Sequence, residues 1–381
     1  MKSIRTHLLL ILLVTLALLP AVSVAQSSPS DLRGDWRAEL RGERVWLRIN
    51  FEDAARSSNW SFSRDYARNE LEGFAPPTAA QNAPVKFQLR HDAGAIVLTG
   101  AWHDDRGEGA ANFQPNPDYA AQMRTLGYGA LTWDDQFRLA MHDVSLQFAR
   151  DIKEAGYASA GVDGLVRFKI HGATPEWIRQ MAASGYSKLD AEDLVRLRIH
   201  RVEPEYVKEL AQLGYTNLSA EDLTRFAMHR VSPDLLRALA QAGYSHLSPE
   251  DVVRLQMHQV SPEFIAQLKT LGYPGLSVDD LTRLKMHGVN ADYLRELRDL
   301  GYQPSAEDLT RLKMHRVTPE FVRDLKAVGY DHVTVDDLVK LRTHNVDASY
   351  LARLRSLGHP NLTIDDAIRM KTHGVRTELE L

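Results

Sequence analysis

A histidine recurs through most of this chain of 381 residues at an almost constant interval. Eight gaps separate nine histidines, seven of 29 residues and one of 28, and a Gly-Tyr pair keeps the same period. A fixed interval of this length is typical of supersecondary units that stack on one another. The period therefore limits the possible folds more than composition does. The histidines are His142, His171, His200, His229, His258, His287, His315, His344 and His373.

Each unit contains two helix starts, and we name the helix that ends at the histidine helix A. It opens with Ser, Thr or Asp, and in most units an Asp follows three residues later, as with Ser277 and Asp280. This spacing is that of a capping box, with Asp in place of the usual Glu. The predicted N-caps of the A helices are Thr132, Asp190, Ser219, Ser248, Ser277, Ser305, Thr334 and Thr363.

Helix B follows the histidine and ends at the Gly-Tyr pair. Its cap is often followed by proline, as in Thr318-Pro319, and proline suits the first helical position because its missing N–H would be unpaired there. The glycine predicts a left-handed residue just past the helix, a Schellman ending in which Tyr330 would contact Leu325. The predicted N-caps of the B helices are Asn116, Ser145, Thr174, Ser232, Ser261, Asn290, Thr318 and Asp347.

Helices of about ten residues are marginal alone, so each must bury an apolar face against its neighbours. The apolar positions that we expect to pack in one unit are Leu309, Leu312 and Met314 in helix A, and Phe321, Val322, Leu325 and Val328 in helix B. Stacked hairpins of this kind form a solenoid whose stability comes from contacts between nearest neighbours. We therefore predict an α-solenoid of about nine two-helix repeats over residues 116–381.

Residues 31–115 lack the repeat, and apolar residues alternate with polar ones, as in Val45, Leu47 and Ile49. Alternation with a period of two indicates half-buried antiparallel strands, and we expect about six of them. The fold class is thus α+β, a small antiparallel β domain followed by the α-solenoid. Because the β domain runs directly into the first helix, we expect it to cover one end of the array.

The first 25 residues read as a secretory signal: a basic start at Lys2 and Arg5, an apolar run, and the small-residue site Ser23-Val24-Ala25. Retention of this segment as a membrane anchor is the alternative. We expect cleavage, a periplasmic or secreted protein, and no stable membrane insertion afterwards. The chain has no cysteine, so its folding must rest on buried apolar surface and not on disulfides.

Charged residues make up 25% of the chain, the net charge is −4, and the two signs are mixed, which argues against a nucleic-acid partner. A basic residue follows most of the capping aspartates by three, as with Asp308 and Arg311. This spacing predicts solvated ion pairs along helix A. A cationic ladder for an acidic partner is the alternative.

No arrangement of residues typical of a catalytic site, cofactor site or metal site is found in the sequence. Successive repeat histidines would lie about 10 Å apart, too far to share one ion. We expect each histidine to meet the unpaired carbonyls at the end of helix A, with a pH-sensitive row as the alternative. The prediction is a chain without catalytic residues, cofactor or metal, and not an enzyme.

Capping and packing explain the recurrent positions, so binding specificity should lie in positions that vary between units. The residue after the histidine is polar and differs from unit to unit. The alternative is that this residue has no binding role and that its variation is simply tolerated at the end of a helix. The candidate partner-binding residues at this position are Arg201, Arg230, Gln259, Arg316 and Asn345.

Tryptophans of the β domain offer a second candidate surface. Trp36 and Trp60 have the phase of core residues. Trp46 is out of phase with Val45 and Leu47, so we expect it on the opposite face of the sheet, where an aromatic ring can contact a sugar or a protein.

The units resemble repeats of the form DDLxxLxxHxVxPEFxxxLxxxGYxxL in bacterial exported proteins, as shown by Asp279-Asp280-Leu281 and by Phe264 to Tyr273. They are similar to repeats on the extracytoplasmic ends of antirepressor-type sensor metallopeptidases of the β-lactam-receptor kind. The resemblance covers about residues 85–381, and the chain lacks the membrane helices and zinc motif of those peptidases. It implies an exported recognition module without peptidase activity.

The leading hypothesis is therefore a non-enzymatic scaffold that binds a protein partner. One alternative is a regulatory accessory of an envelope protease or signalling system. The other is a glycan-binding or cell-wall-binding protein that acts through the β domain.

Overall fold

The computed structural model describes residues 32–53, 58–75, 83–359 and 362–373. In this part of the chain an antiparallel sheet of seven strands precedes 18 α-helices in a repeated array, which confirms the α+β prediction. The predicted signal, residues 1–25, lies outside the described residues. Strands give way to helices between Pro115 and Pro117, while the two compact units of the chain divide between Lys169 and Ile170.

The sheet has the strand order β3-β2-β1-β7-β6-β5-β4. Its strands are β1 (Leu32–Arg41), β2 (Arg44–Asp53), β3 (Ser58–Ala67), β4 (Leu71–Glu72), β5 (Ala83–His91), β6 (Gly94–His103) and β7 (Arg106–Pro115). The expectation of about six strands is close, but apolar alternation did not reveal β7. This strand is built from small residues because a Cβ at Gly107 would lie 2.2 Å from the Trp102 ring.

The sheet is strongly curled around an aromatic core. The ring centroids of Trp36 on β1 and Phe87 on β5 lie 5.1 Å apart, although β7 and β6 separate these strands. In a flat sheet, strands β1 and β5 would lie three strand spacings, about 14 Å, apart. The short distance between the two rings therefore requires the sheet to curl. Trp36 is fully buried, as expected, and its indole N–H donates to the Thr99 carbonyl at 3.1 Å.

The open end of the sheet packs on the first helices of the array. Phe137 lies with its ring centroid 4.9 Å from that of Phe51, 5.5 Å from Trp60 and 5.4 Å from Phe113. Trp60 is half-buried by this contact. The β domain thus covers the apolar face of the first A helix.

All but one of the A helices begin at their predicted caps. They are α2 (Trp133–Met141), α4 (Gly161–His171), α6 (Ala191–Ile199), α8 (Ala220–Met228), α10 (Pro249–Met257), α12 (Val278–Met286), α14 (Ala306–Met314), α16 (Val335–Thr343) and α18 (Ile364–Thr372). Helix α4 follows a 3-10 turn, Ala158–Ala160, and no cap was predicted for it. At the predicted caps the side-chain oxygen accepts from the main-chain N–H three residues on, for example Asp280 N–H to Ser277 Oγ at 3.0 Å.

The B helices alternate with the A helices along the chain. They are α1 (Pro117–Leu126), α3 (Leu146–Glu154), α5 (Pro175–Met181), α7 (Pro204–Gln212), α9 (Pro233–Gln241), α11 (Pro262–Thr270), α13 (Ala291–Asp299), α15 (Pro319–Ala327) and α17 (Ala348–Ser356). The glycine of each Gly-Tyr pair has φ between 85° and 102° and lies just past its B helix, except that Gly185 lies within a π-helical turn, Ala182–Tyr186, which follows α5. The Tyr330 N–H donates to the Leu325 carbonyl at 3.0 Å, which confirms the Schellman ending.

Within the compact unit that begins at Ile170, A helices pack on A helices and B helices on B helices. Leu309 and Leu312 are fully buried at the A–A contact, but Met314 is exposed, so its expected place in the core was wrong. Met314 follows Leu309 by five residues, and this separation rotates its side chain by about 140° around the helix axis. Met314 therefore does not lie on the same helix face as Leu309.

The tyrosine of the Gly-Tyr pair links successive units. In several units its hydroxyl skips the A helix that follows it and donates to the carbonyl just before the A-helix cap one repeat further on. The distance is 2.6 Å for Tyr244 to Leu276 and 2.7 Å for Tyr302 to Val333. On the B helices, Tyr206 and Tyr293 make a second set of such bonds, to the Val231 and Val317 carbonyls. Each bond contributes about 1 kcal/mol, so the tyrosines reinforce the apolar stacking.

Substitution of Gly301 tests the helix ending without a change in packing. Its φ is 88°, and a Cβ built there has no neighbour within 4 Å. We expect Gly301→Val to lower the free energy of unfolding by more than about 1 kcal/mol, since a β-branched residue resists this conformation. Gly301→Asn should cost less because asparagine tolerates it. Equal stability of the valine variant and the parent in urea melts would contradict the assignment.

The tyrosine bonds also predict a loss of stability at alkaline pH. Burial raises the pKa of Tyr293 and Tyr206, and raises that of Tyr128 to about 12. An unfolded tyrosine ionises near pH 10, so this stability is present below about pH 10 and lost as pH rises through the folded pKa values. Urea melts between about pH 8 and 11 should show the free energy of unfolding falling from about pH 10.

The variant Tyr293→Phe tests how much of the loss of stability at alkaline pH comes from one hydroxyl. It should lose about 1 kcal/mol at pH 8, because the Val317 carbonyl loses its donor, and its stability should then fall less steeply with pH. Phe264 and Phe321 occupy the equivalent position in other units, so phenylalanine fits there. A slope identical to that of the parent would exclude Tyr293 as a contributor.

Candidate functional site

The candidate residues Arg201, Arg230, Gln259, Arg316 and Asn345 share one unusual backbone conformation. Their φ values lie between 54° and 56°, in the left-handed region. Each follows the C-terminal histidine of an A helix, and the next N–H closes the turn, as Val317 to the Leu312 carbonyl at 2.9 Å. The A helices therefore end in the same Schellman turn as the B helices, which the sequence did not suggest because glycine is mostly absent.

All five candidate side chains are exposed. Gly172 and Gly288 hold the same position in other units, with φ of 71° and 70°. Glycine adopts this conformation without steric cost, whereas a residue with a Cβ pays about 1 kcal/mol or more. With Asp143 of the first unit, whose φ is 50°, six of the described units thus carry a polar side chain where we expect glycine to be more stable.

The repeat histidines cap the A helices through their main chain. The His315 N–H donates to the Arg311 carbonyl at 3.0 Å. In the described part of the chain, no ring nitrogen of these histidines bonds to a main-chain carbonyl, so the expected ring–carbonyl contact was wrong. The two N–H groups after the histidine satisfy those carbonyls instead. Burial, and then Arg138, lower the pKa of His142.

Ion pairs neutralise the exposed face of the A helices in several units. Arg311 lies 2.9 Å from Asp308 three residues earlier, which confirms the predicted spacing, and 2.7 Å from Asp336 of the next unit. Lys340 makes the same two contacts, with Asp337 at 3.4 Å and Asp365 at 3.5 Å. These pairs are solvated and individually weak, and their alternating signs argue against a cationic ladder on this face.

Next to the candidate residues lies an apolar stripe that the sequence reading missed. Each member directly precedes a repeat histidine and is between 49% and 64% exposed. The signal was present in the sequence as an apolar residue before the histidine, but only Met314 was interpreted, and it was expected in the core. We name as the methionine stripe the residues Ile170, Ile199, Met228, Met257, Met286 and Met314.

Cations stand on aromatic rings beside the methionine stripe. The residue before each stripe member is often basic, and it lies over the ring of the preceding B helix. Lys313 lies 4.2 Å from the Tyr293 ring centroid and Lys285 lies 4.6 Å from that of Phe264. Where the B helix carries Leu235 in place of an aromatic residue, the basic residue is replaced by Gln256. Where a basic residue is present, the ring thus positions its charge, but beside Met228 the equivalent residue is Ala227 although Tyr206 supplies a ring.

Trp46 lies on the sheet face opposite the core, as predicted, and is half-buried. It lines an open concavity of about 980 Å³ together with Glu39, Arg48 and the β6–β7 turn at Asp104 and Asp105. The Arg41 guanidinium stands 5.2 Å from the centroid of its ring. The hydrogen bond from Arg41, and its charge, lower the pKa of Glu39.

Among the residues that the structure describes, no group of three or more potential metal ligands is found. Within the same residues, none of the helices has the length and apolar character needed to span a membrane. No known family model matches the chain, and no curated protein is significantly similar to it.

The left-handed turn makes a prediction for Arg316. The variant Arg316→Gly should raise the free energy of unfolding by about 0.5–1 kcal/mol, because glycine reaches φ near 55° without steric cost. Arg316→Ala keeps the backbone cost and should be nearly neutral, which separates the turn from the side chain. A destabilised glycine variant in urea melts would show that the arginine side chain stabilises the fold.

Proposed function

We propose that this protein is an exported, non-enzymatic scaffold that binds a protein partner along the A–B turns of its helical array. The observation that carries the proposal is the set of exposed polar residues at left-handed positions. We expect these residues to lower stability relative to glycine, and side chains that do so at an exposed site are typical of function. The resemblance to extracytoplasmic sensor repeats supports export and a regulatory partner.

The recurrent residues support the same assignment by elimination. The caps, the Gly-Tyr pair and the buried leucines are all engaged in helix ends or in contacts between units. The turn after the histidine is one of the surface positions that differ between units. A repeat array offers such turns as one extended surface, which suits recognition of another polypeptide.

Site-specific photo-crosslinking tests the proposal. A photoreactive residue at Gln259 is placed in the mature protein, which is mixed with envelope and secreted fractions of the source organism. We expect one major crosslinked protein, and we expect unlabelled parent to compete with it. The triple variant Arg201→Ser, Arg230→Ser, Arg316→Ser should compete poorly but melt within a few degrees of the parent, since exposed changes alter stability by about 0.5 kcal/mol each at most.

A photoreactive residue at Lys188, which is exposed on a turn from helix B to helix A, serves as the matched control. Equal capture from both positions, or full competition by the triple variant, would contradict binding at the A–B turns. Catalytic turnover abolished by a single substitution would contradict the non-enzymatic assignment. The identity of the captured protein decides whether an envelope protease or signalling system is involved.

A second candidate function is glycan binding by the β domain. The concavity around Trp46 combines an aromatic ring with carboxylate and guanidinium groups, a combination that also suits sugars. Retention on peptidoglycan that is lost in Trp46→Ala, with an unchanged melting temperature, would favour this function. Retention unaffected by the substitution would exclude this concavity as the site.

A further inference from the structure

We propose that the methionine stripe and the cations beside it bind an extended, acidic polypeptide segment with an apolar residue at every third position. This inference rests on the proposed scaffold function and names the site and the chemistry of its partner. The stripe runs through consecutive units from Ile170 to Met314. It lies within the compact unit that begins at Ile170.

The apolar half of the argument is the exposure of six equivalent side chains. Isolated exposed apolar residues are ordinary, but a regular row of them is typical of an interaction surface. Four of the six are methionines, whose flexible and polarisable side chains adapt to different apolar partners. The stripe is therefore suited to hold several apolar side chains of one bound chain.

The spacing of the stripe selects an extended partner. Stacked helices lie about 8–10 Å apart, and the stripe has one residue per A helix. A polyproline II chain rises about 3.1 Å per residue with three residues per turn, so every third side chain repeats on one face at about 9.3 Å. A helical ligand repeats its face at about 5.4 Å per turn, or about 10.5 Å every seven residues, so it matches this spacing less closely.

The charge expected for the partner follows from which charged groups of the protein are already paired with one another. At one groove beside the stripe, of about 480 Å³, the lining includes Asp292, Glu296, Glu320, Lys313 and Arg316. Glu296 and Glu320 both contact Arg323, at 2.5 Å and 3.1 Å, and Asp292 is bonded to Arg295. The three carboxylates of the groove thus share two arginines of the B helices, so one negative charge remains there against the two positive charges of Lys313 and Arg316.

The cations of the groove are not neutralised in this way. Among the described residues, no carboxylate oxygen lies within 4.0 Å of the charged nitrogens of Lys313 or Arg316. The same holds in that part of the chain for Lys285, Arg230 and Arg201. Burial lowers the pKa of Lys313, since its ammonium is partly withdrawn from water without a counter-ion. Acidic groups of a bound segment would supply that counter-charge.

A synthetic peptide tests the inference directly. The probe is a fluorescein-labelled chain of repeated Leu-Glu-Pro triplets, one triplet for each stripe residue, in which proline favours the extended conformation. Fluorescence anisotropy with the purified mature protein should show saturable binding that weakens with salt. The matched peptides are Leu-Lys-Pro repeats, with reversed charge, and Ser-Glu-Pro repeats, without apolar side chains. Neither should bind comparably.

Protein variants locate the site. Combined Met228→Ser, Met257→Ser, Met286→Ser and Met314→Ser should weaken the Leu-Glu-Pro probe by about tenfold or more, which corresponds to about 1.4 kcal/mol. The control is Leu357→Ser, because Leu357 is also 48% exposed but ends a B helix. It should bind the probe like the parent. Lys285→Gln, Lys313→Gln and Arg316→Gln together should weaken binding and reduce its dependence on salt.

Several outcomes would overturn the inference: no binding of the acidic probe by the parent, equal binding of the charge-reversed probe, or unchanged binding by the folded quadruple methionine variant. These outcomes are distinguishable from failure of the scaffold function. A protein still captured from Gln259 in competition with the parent, while the acidic probe does not bind, would preserve the scaffold and exclude only this class of ligand.

Discussion

Stacking of short helices on their neighbours is the interaction on which the rest of the structure depends. Most A and B helices have nine residues, about two and a half turns, which is too short to be stable in water. Leu309 and Leu312 become fully buried only because equivalent helices cover them. The hydroxyl of Tyr302 then crosses to the Val333 carbonyl and joins one unit to the next. Stability is therefore a property of the array and not of any single helix.

This constraint separates the residues that build the array from those that remain for binding. The left-handed glycines, the hydroxyl caps and the tyrosines are all engaged in helix ends or between units. The A–B turn needs only a left-handed residue, and Gly288 shows that glycine suffices. Where Arg230 or Arg316 occupies this position instead, the turn gains a charge, and its left-handed conformation carries a steric cost that glycine would not have. The proposed binding surface thus lies at positions whose side chains are not needed for capping or packing.

The A-helix face and the edge formed by the A–B turns also differ in how their charges are paired. On the face of the A helices, Arg311 is held between Asp308 and Asp336, so opposite charges alternate from unit to unit. At the turn edge, Lys313 is held by the Tyr293 ring and lacks such a partner in the described structure. An aromatic ring positions an ammonium group without neutralising it. The edge therefore keeps a positive character beside its methionines, although the net charge of the chain is −4.

The sequence by itself determined the architecture, because the signals for helix ends are local. A hydroxyl at Ser277 or a glycine at Gly301 acts on main-chain groups a few residues away, so the period of these signals fixed the helix boundaries. Alternation similarly identified the strands around Val45, but it could not reveal β7, where Gly107 makes room for the rings of other strands.

Only the tertiary structure decided which side chains face a neighbour. Met314 and Leu312 are both apolar and close in sequence, yet only Leu312 meets the next A helix. The placement of a ring under Lys313, and the ion pair between Arg311 and Asp336, also depend on residues about one repeat away. Burial and pairing are set by the stacking of units, so the methionine stripe and its unneutralised cations became visible only in the folded array.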